Sequence, residues 1–162
     1  MESQSNAVAW HYTTGNKASQ ILQSRYLNPA TGFVTPPERP ILWFSSNQFW
    51  EATANKGIMQ LNGVQRAATL EEMAARAGGL VRFGCPLDTL KPASVLRIEA
   101  RMSYKVYRAL CEAAHKVGSN PSEWYGTLSP MSIEGMFFQV MNCHDERTSW
   151  QWPAEIMRIQ SI

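Results

Sequence analysis

The stretch AVAWHYTTG, at residues 7–15, decides how the chain begins to fold. Its apolar and aromatic residues up to position 12 are typical of a β-strand, and the small polar residues at 13–15 predict a turn. Apolar residues at helical spacing follow, and Thr14 or Asn16 stands where a short helix needs its N-cap. We therefore expect the chain to open with a strand that leads into a helix.

The rest of the chain continues this alternation of short apolar runs and helical patterns. Thr69 starts a capping box, because Glu72 follows it three residues later, and Gly78 and Gly79 end the helix that the box begins. A second helical pattern runs from 94 to 117. The further predicted strands cover residues 41–45, 80–83, 126–129, 135–142 and 149–159. Together these elements predict a mixed α+β fold with two or three helices at the edges of the strands.

Length and composition favour a single folded domain over residues 1–162. Of the 162 residues, 44% are hydrophobic and only 17% are charged, so the chain can bury a core and is not expected to be disordered. Its apolar stretches are far shorter than the roughly 20 residues of a membrane span, and no secretion signal is expected at its start. The net charge of +2 is too small to indicate nucleic-acid binding from bulk charge alone.

The three cysteines argue against a disulfide framework or a zinc ribbon. Cys85, Cys111 and Cys143 are odd in number and never form a C-x-x-C pair. Small buried side chains explain them best. We expect a protein of the reducing cytoplasm.

The first candidate site residues lie in the opening strand. His11 can hydrogen-bond a ribose hydroxyl or an amide, and Tyr12 offers an aromatic face to a flat ring. Thr13 adds a small hydroxyl beside them. A buried histidine bonded to the backbone explains this stretch about as well.

The second candidate group is the run of Trp43 and Phe44 into Ser45, at the predicted end of a strand. Two aromatic rings there place apolar bulk behind a hydroxyl that can orient a polar ligand. The alternative is a core strand that ends in a serine-rich turn.

The third candidate is Glu155, a carboxylate in the otherwise apolar segment 152–159. Strand alternation puts it on one face with Met157 and Ile159, which is costly unless that face opens onto a cleft. Glu134 is the other carboxylate considered, but it precedes Gly135, where a turn is the easier explanation.

Three motifs, W-H-Y-T at 10–13, W-F-S at 43–45 and A-E-I-M-R-I at 154–159, together resemble the ADP-ribosyltransferase superfamily. The likeness is to its small bacterial and phage members of the His-Tyr-Glu kind, and the motif order agrees over essentially the whole chain. The resemblance implies a split mixed β-sheet core and NAD as the substrate. The chain lacks a Ser-Thr-Ser run and any Glu-x-Glu or Gln-x-Glu pair, which leaves the acceptor open.

The resemblance also implies a role for each candidate. Glu155 would stabilise the oxocarbenium-like ribose that forms when nicotinamide leaves, and would hold the 2′-hydroxyl. His11 would bond the adenosine-side ribose or the pyrophosphate, and Tyr12 would pack near a ring. Ser45 would steady the nicotinamide ribose.

Aromatic and basic side chains complete this expected NAD site. Trp43 and Phe44 would form the wall behind Ser45. Arg39 or Arg82 would contact the pyrophosphate in a bidentate manner, although an ordinary surface salt bridge is the more common fate of an arginine.

The predicted activity is transfer of ADP-ribose to a protein or nucleic-acid target. NAD-dependent RNA 2′-phosphate transfer belongs to the same fold family, but its arginine-rich pocket has no counterpart beside His11. The remaining alternative is a non-catalytic binding protein or inhibitor of phage or mobile-element origin, which acts through a basic surface. If the helix over 94–117 is continuous, that surface is a stripe at three- and four-residue spacing, made of Arg97, Arg101, Lys105 and Arg108.

Overall fold

The structure is α+β, as predicted, and its largest element is a sheet of seven strands. This computed structural model describes residues 7–142 and 149–152. The strands are β1 (Val8–Thr14), β2 (Tyr26–Leu27), β3 (Leu42–Ser45), β4 (Gly57–Met59), β5 (Gln65–Ala67), β6 (Leu80–Pro86), β7 (Lys91–Pro92), β8 (Trp124–Thr127), β9 (Met131–Ser132), β10 (Phe137–Asn142) and β11 (Ser149–Gln151). The helices in the described residues are α1 (Gly15–Ser24), α2 (Leu70–Arg76), α3 (Ala93–Glu99) and α4 (Tyr104–Lys116).

The opening stretch forms the predicted strand and helix, but without a turn between them. Strand β1 continues through Thr14, and α1 begins at the next residue. The Thr14 side chain accepts a hydrogen bond from the backbone N–H of Lys17, so the last strand residue is also the helix N-cap. His11 consequently lies in the middle of β1 and not near its end.

The central sheet has the strand order β11-β10-β6-β1-β3-β8-β7. Every pairing in it is antiparallel, so the mixed sheet implied by the resemblance is not seen in the described residues. Two small sheets accompany it, β2 with β9 and β4 with β5. Strands β10 and β11, which lie within the predicted strands 135–142 and 149–159, are antiparallel neighbours.

Alternation along β1 sends its side chains to two separate cores. Ala9 packs on the α1 side, in a cluster that includes Phe44 and Phe83. Trp10 and Tyr12 pack on the opposite side, in a cluster that includes Met73 of α2. Both faces of the sheet are therefore covered, and a ligand can reach its middle only where strands separate.

The sheet is nearly divided between β1 and β3. These strands pair at one position, Trp10 with Ser45, whereas β1 and β6 pair at seven positions. On the other side, β3 pairs with β8 at four positions. The sheet is thus two well-paired halves joined by a single bridge, and the gap beside that bridge is available to side chains and ligands.

The single helix predicted over 94–117 is two helices, which brings the number in the described residues to four. Arg101 has a left-handed φ of 56° between α3 and α4 and breaks the helical path. Ser103 then caps α4 by accepting a hydrogen bond from the N–H of Val106. The sequence pattern missed this break because the link, residues 101–103, contains no glycine or proline and includes the buried Met102.

The break also corrects the predicted basic stripe. Arg97 belongs to α3, Arg101 lies in the link, and Lys105 and Arg108 belong to α4. Arg108 is in addition engaged by Glu112, at 2.8 Å from its Nε. The four side chains lie in one region of the surface but not along one continuous helix. No helix of the described residues is long and apolar enough to cross a membrane.

Candidate active site at the gap between β1 and β3

Two cavities open at the gap between β1 and β3, each with a volume of about 520 Å³. Four residues line both of them: His11, Tyr12, Trp43 and Ala54. Cavity A, on the α4 side, is further lined by Ser45, Glu51, Thr53, Asn55, Leu110 and Trp124 among others. Cavity B, on the α1 side, is further lined by Thr13, Lys17, Gln20, Ser24, Asn28 and Lys56 among others. Because the two cavities share these four lining residues, they adjoin each other at the gap. We refer to the two cavities together as the cleft.

His11 stands at the junction of the two cavities. Its Nδ1 lies 2.8 Å from the backbone carbonyl oxygen of Trp43, and its ring centroid lies 5.7 Å from that of Phe44. Burial lowers the pKa of His11, which the bond to Trp43 opposes. The carbonyl oxygen can only accept, so the neutral ring carries its proton on Nδ1 and leaves Nε2 as an acceptor. Nε2 has no partner among the described residues and can receive a hydrogen bond from a ligand hydroxyl or amide.

Ser45 lies beside the single bridge between β1 and β3 and lines cavity A. Its Oγ accepts a hydrogen bond of 3.1 Å from the backbone N–H of Asn47. The hydroxyl proton has no acceptor among the described residues, so Ser45 can donate to a ligand. The structure thus brings His11 and Ser45 to the same cavity, one as an acceptor and the other as a donor.

Trp43 and Phe44 form part of the wall, but they point in opposite directions from β3. The Trp43 ring packs against Trp124, with centroids 5.8 Å apart. Phe44 is 2% exposed and belongs to the core on the α1 side. Of these two residues, Trp43 lines both cavities and Phe44 lines cavity A alone, because strand alternation turns the Phe44 side chain into the core.

Tyr12 and Thr13 occupy different sides of the cleft. The Tyr12 hydroxyl donates to the backbone oxygen of Asn47 and accepts from Nη1 of Arg82 at 3.3 Å. Burial raises the pKa of Tyr12 to about 12, and the bond from Arg82 opposes this rise. Tyr12 is therefore a wall residue whose hydroxyl is held by two hydrogen bonds within the protein. Thr13 is buried and lines cavity B alone.

The two arginines predicted to contact pyrophosphate line neither cavity. Arg82 is 6% exposed, and its guanidinium donates to Gln139 and to the backbone oxygen of Gln48. Its side chain therefore joins strands within the protein. Arg39 is exposed, and its backbone N–H donates to the oxygen of Ala100 at 2.8 Å. The cations that the structure brings to the cleft are instead Lys17 and Lys56.

The two carboxylates weighed from the sequence are not part of the described cleft. Glu155 lies outside the described residues, as do Cys143 and the polar turn at 143–147 that precedes β11. Glu134 is exposed in the turn after β9 and lines neither cavity. Trp152, the last described residue, makes an edge contact with Phe137 at 5.9 Å between centroids.

Sequence reasoning missed Glu51, which is a buried carboxylate of cavity A. Only 8% of this residue is exposed, and it caps the 3-10 helix Ala52–Ala54. Its Oε1 accepts hydrogen bonds from the hydroxyl and the N–H of Thr53, at 2.7 and 3.3 Å. The signal was present in the stretch FWEATAN at 49–55, where a carboxylate follows two aromatic residues directly.

The two cavities carry opposite charge. Cavity A has Glu51 and, among the described residues that line it, no lysine or arginine. Cavity B has Lys17 and Lys56 and, again within the described residues, no aspartate or glutamate. His11 is neutral at their junction, because burial lowers its pKa. The cleft is therefore polarised from an aromatic, anionic end to a polar, cationic end.

Comparison of this chain with protein-family models, with curated proteins and with solved structures gives no match. The residues and geometry of the cleft are therefore what indicates the function of this chain.

Proposed function

We propose that this protein is an NAD-dependent ADP-ribosyltransferase of the His-Tyr-Glu kind that modifies a protein or nucleic-acid target. The observation that carries the proposal is the polarised cleft at the gap between β1 and β3, with His11 at its centre. NAD has a cationic nicotinamide ring and an anionic pyrophosphate. An aromatic cavity with a carboxylate and an adjoining cavity with Lys17 and Lys56 suit these two parts respectively.

The nearly divided sheet supports an ADP-ribosyltransferase-like architecture for this chain. A cleft of this kind needs two sheet halves that separate without losing their own pairing. The single bridge of Trp10 with Ser45, between halves paired at seven and four positions, meets that requirement.

The proposed reaction breaks the bond between C1′ of the ribose and the pyridinium nitrogen. The electron pair of that bond leaves with nicotinamide, and an acceptor atom bonds to C1′ and releases a proton. The Ser45 hydroxyl would hold the nicotinamide ribose in the orientation that exposes C1′, and His11 Nε2 would bond the adenosine-side ribose or the pyrophosphate. Glu155, whose role follows from the resemblance, would stabilise the positive charge that develops on the ribose.

The decisive test is an incubation of the full chain with NAD labelled in its adenosine half, with and without a cell extract. We expect nicotinamide release and transfer of the label to a macromolecule. Glu155→Gln and His11→Ala should each lower the rate by about a hundredfold or more, since the first removes the charge that stabilises the reacting ribose and the second removes a group that positions NAD. His115→Ala is the matched control, because His115 is exposed on α4.

Nicotinamide release by the unmodified chain that does not exceed that of Glu155→Gln contradicts the proposal. Release without transferred label identifies the protein as an NAD hydrolase, in which water is the acceptor. The same assay therefore separates transfer from hydrolysis.

A second candidate function, binding without catalysis, is supported by the surface around the α3–α4 link. Arg101 and Lys105 are exposed and form no ion pair with any described residue, and the Arg97 guanidinium lies 5.9 Å from the Tyr104 ring centroid. Cations with an exposed aromatic ring suit an acidic protein or a nucleic-acid backbone. If Arg101→Glu with Lys105→Glu abolishes the biological effect while Glu155→Gln leaves it intact, binding is the function.

We further propose a cytoplasmic location. Cys85 is buried and Cys111 half-buried, and both are free thiols. Burial raises the pKa of the Cys85 thiol, which keeps it protonated and unreactive. Unpaired structural cysteines of this kind suit a reducing compartment.

A further inference from the structure

One carboxylate oxygen of Glu51 has no hydrogen-bond partner among the described residues. Oε1 is occupied by the two hydrogen bonds from Thr53. Oε2 has no hydrogen-bond partner among the described residues. The one buried side-chain nitrogen or oxygen atom without a partner in the described part of the chain is Ser119 Oγ, so Oε2 itself is not buried. Glu51 as a whole is 92% buried, and it lines cavity A, so we infer that a ligand in that cavity reaches this oxygen.

The described residues supply no counter-charge to the Glu51 carboxylate in cavity A. No lysine or arginine stands among the described residues that line cavity A. Besides burial, the Glu51 carboxylate contributes to the raised pKa of Tyr12, whose hydroxyl is neutral at physiological pH and supplies no counter-charge. Arg82 lies beyond Tyr12, bonded to its hydroxyl, and forms no ion pair within 4 Å with any described carboxylate. Burial of an unpaired carboxylate is costly, so a cationic ligand gains energy by entering the cavity.

The walls of cavity A favour one shape of cation. Trp43 and Trp124 line it as a pair of rings whose planes meet at 59°. Aromatic faces attract cations, and flat delocalised cations also stack on them because they hold water weakly. Leu110 of α4 closes the cavity with apolar surface. No group of three or more His, Cys, Asp or Glu side chains that could hold a metal ion occurs among the described residues.

We propose that cavity A binds a flat, delocalised organic cation, with Glu51 as its counter-ion and Trp43 and Trp124 as its walls. Two sources have this chemistry. One is the pyridinium ring of oxidised NAD, and the other is the guanidinium of an arginine in the acceptor. The inference deepens the proposed function, but the charge and walls of the cavity support it independently of any reaction.

The test measures binding of small probes to the full chain by calorimetry. The probes are 1-methylnicotinamide, which is a cation, nicotinamide, its neutral counterpart, and methylguanidinium. We expect at least one cation to bind about tenfold or more tightly than nicotinamide, with an affinity that falls as salt is added. Tighter binding of 1-methylnicotinamide assigns the cavity to NAD, and tighter binding of methylguanidinium assigns it to an arginine acceptor.

Glu51→Gln is the decisive variant. A glutamine oxygen can still accept both hydrogen bonds from Thr53, so the local cap is retained while the charge is lost. The preference for the cation should disappear in this variant. Glu71→Gln removes the same charge from an exposed position on α2 and should leave the preference unchanged.

Three results overturn the inference: no saturable binding of either cation, no cation that binds more tightly than nicotinamide, or an unchanged preference in folded Glu51→Gln. If Glu51→Gln does not fold, the comparison of charged and neutral probes on the unmodified chain still decides. Cation binding without nicotinamide release from NAD would leave this inference standing and remove the proposed function.

Discussion

The guanidinium carbon of Arg82 lies 3.8 Å from the centroid of the Trp10 ring, so a buried cation of β6 stacks on a tryptophan of the neighbouring strand β1. On its other side the same carbon lies 4.3 Å from the Trp150 ring centroid. Its nitrogens donate to Gln139 of β10 and to the backbone oxygen of Gln48. One side chain of β6 thereby connects four separate parts of the chain.

Arg82→Lys should lower the free energy of unfolding by about 2–3 kcal/mol, because a single ammonium cannot reproduce the fork of bonds or the stacking. Urea denaturation followed by tryptophan fluorescence measures this change. Arg101→Lys, at an exposed position, is the control and should shift stability by no more than about 0.5 kcal/mol. Equal stability of the two variants would mean that the contacts of Arg82 contribute nothing net.

The order of elements was predictable from the sequence because each carries its own local signal. The capping box at Thr69 is present as predicted, with the side chains of Thr69 and Glu72 bonded to each other's backbone N–H. The strands at 41–45 and 80–83 are also confirmed, with small shifts of their ends. Local signals fail where tertiary packing decides. The helix break at Arg101 lets α3 and α4 pack into the same clusters, with Ala93 of α3 and Ala114 of α4 in one of them, and no periodicity reveals this arrangement.

The candidate site was predictable in part. His11, Trp43 and Ser45 were singled out as aromatic and polar residues in strands, and the structure brings them to one cleft. Arg82 was misjudged because a sequence does not tell whether an arginine in an apolar strand faces a ligand or a glutamine from the next strand. Glu51 was missed because its burial is set by tertiary packing, and residues as distant in sequence as Leu110 of α4 line the same cavity.

The close approach of β3 and β8 depends on Gly126. A Cβ at this position would lie 2.3 Å from the backbone oxygen of Leu42, which cannot move without breaking the pairing of β3 with β8. We expect Gly126→Ala to lower the free energy of unfolding by about 2 kcal/mol or more. Gly32 is the matched control, since a Cβ there has open space and φ is not positive.

Urea denaturation should show Gly32→Ala to be neutral or more stable by up to about 1 kcal/mol, because alanine restricts the unfolded chain. If Gly126→Ala is as stable as Gly32→Ala, the two strands do not approach as closely as described.

The left-handed conformation of Arg101 predicts a stabilising substitution. Arg101 follows the C-terminal cap of α3 with a φ of 56°, where glycine has no steric cost. Arg101→Gly should therefore raise the free energy of unfolding by up to about 1 kcal/mol. The matched variant Arg97→Gly lies within α3 and should lower it by about 1 kcal/mol, because glycine is a poor helix former. Urea denaturation of both variants measures the difference, and a loss of stability in Arg101→Gly would contradict a left-handed residue at this position.

Because the folded protein favours the neutral form of His11, the free energy of unfolding should decrease as the pH falls. Its pKa in the folded protein is lowered from 6.5 by burial, so the unfolded chain binds a proton more readily than the folded one. Above about pH 7 both states are neutral at this position and its contribution is constant. As the pH falls below 6.5, proton uptake favours the unfolded chain, and the free energy of unfolding should decrease.

The contribution of His11 appears as the difference between the unmodified protein and His11→Asn, whose amide N–H can still donate to the oxygen of Trp43. Urea denaturation at pH 7.5 and at pH 5.5 should show a smaller loss of stability in His11→Asn on acidification, because the asparagine takes up no proton. His115→Asn, at an exposed position, should follow the unmodified protein. An equal loss in His11→Asn and the unmodified protein would show that the imidazole is as easily protonated in the fold as in the unfolded chain. In that case His11 would carry a positive charge into the junction of the two cavities at mildly acidic pH, where it would compete with a cationic ligand for Glu51.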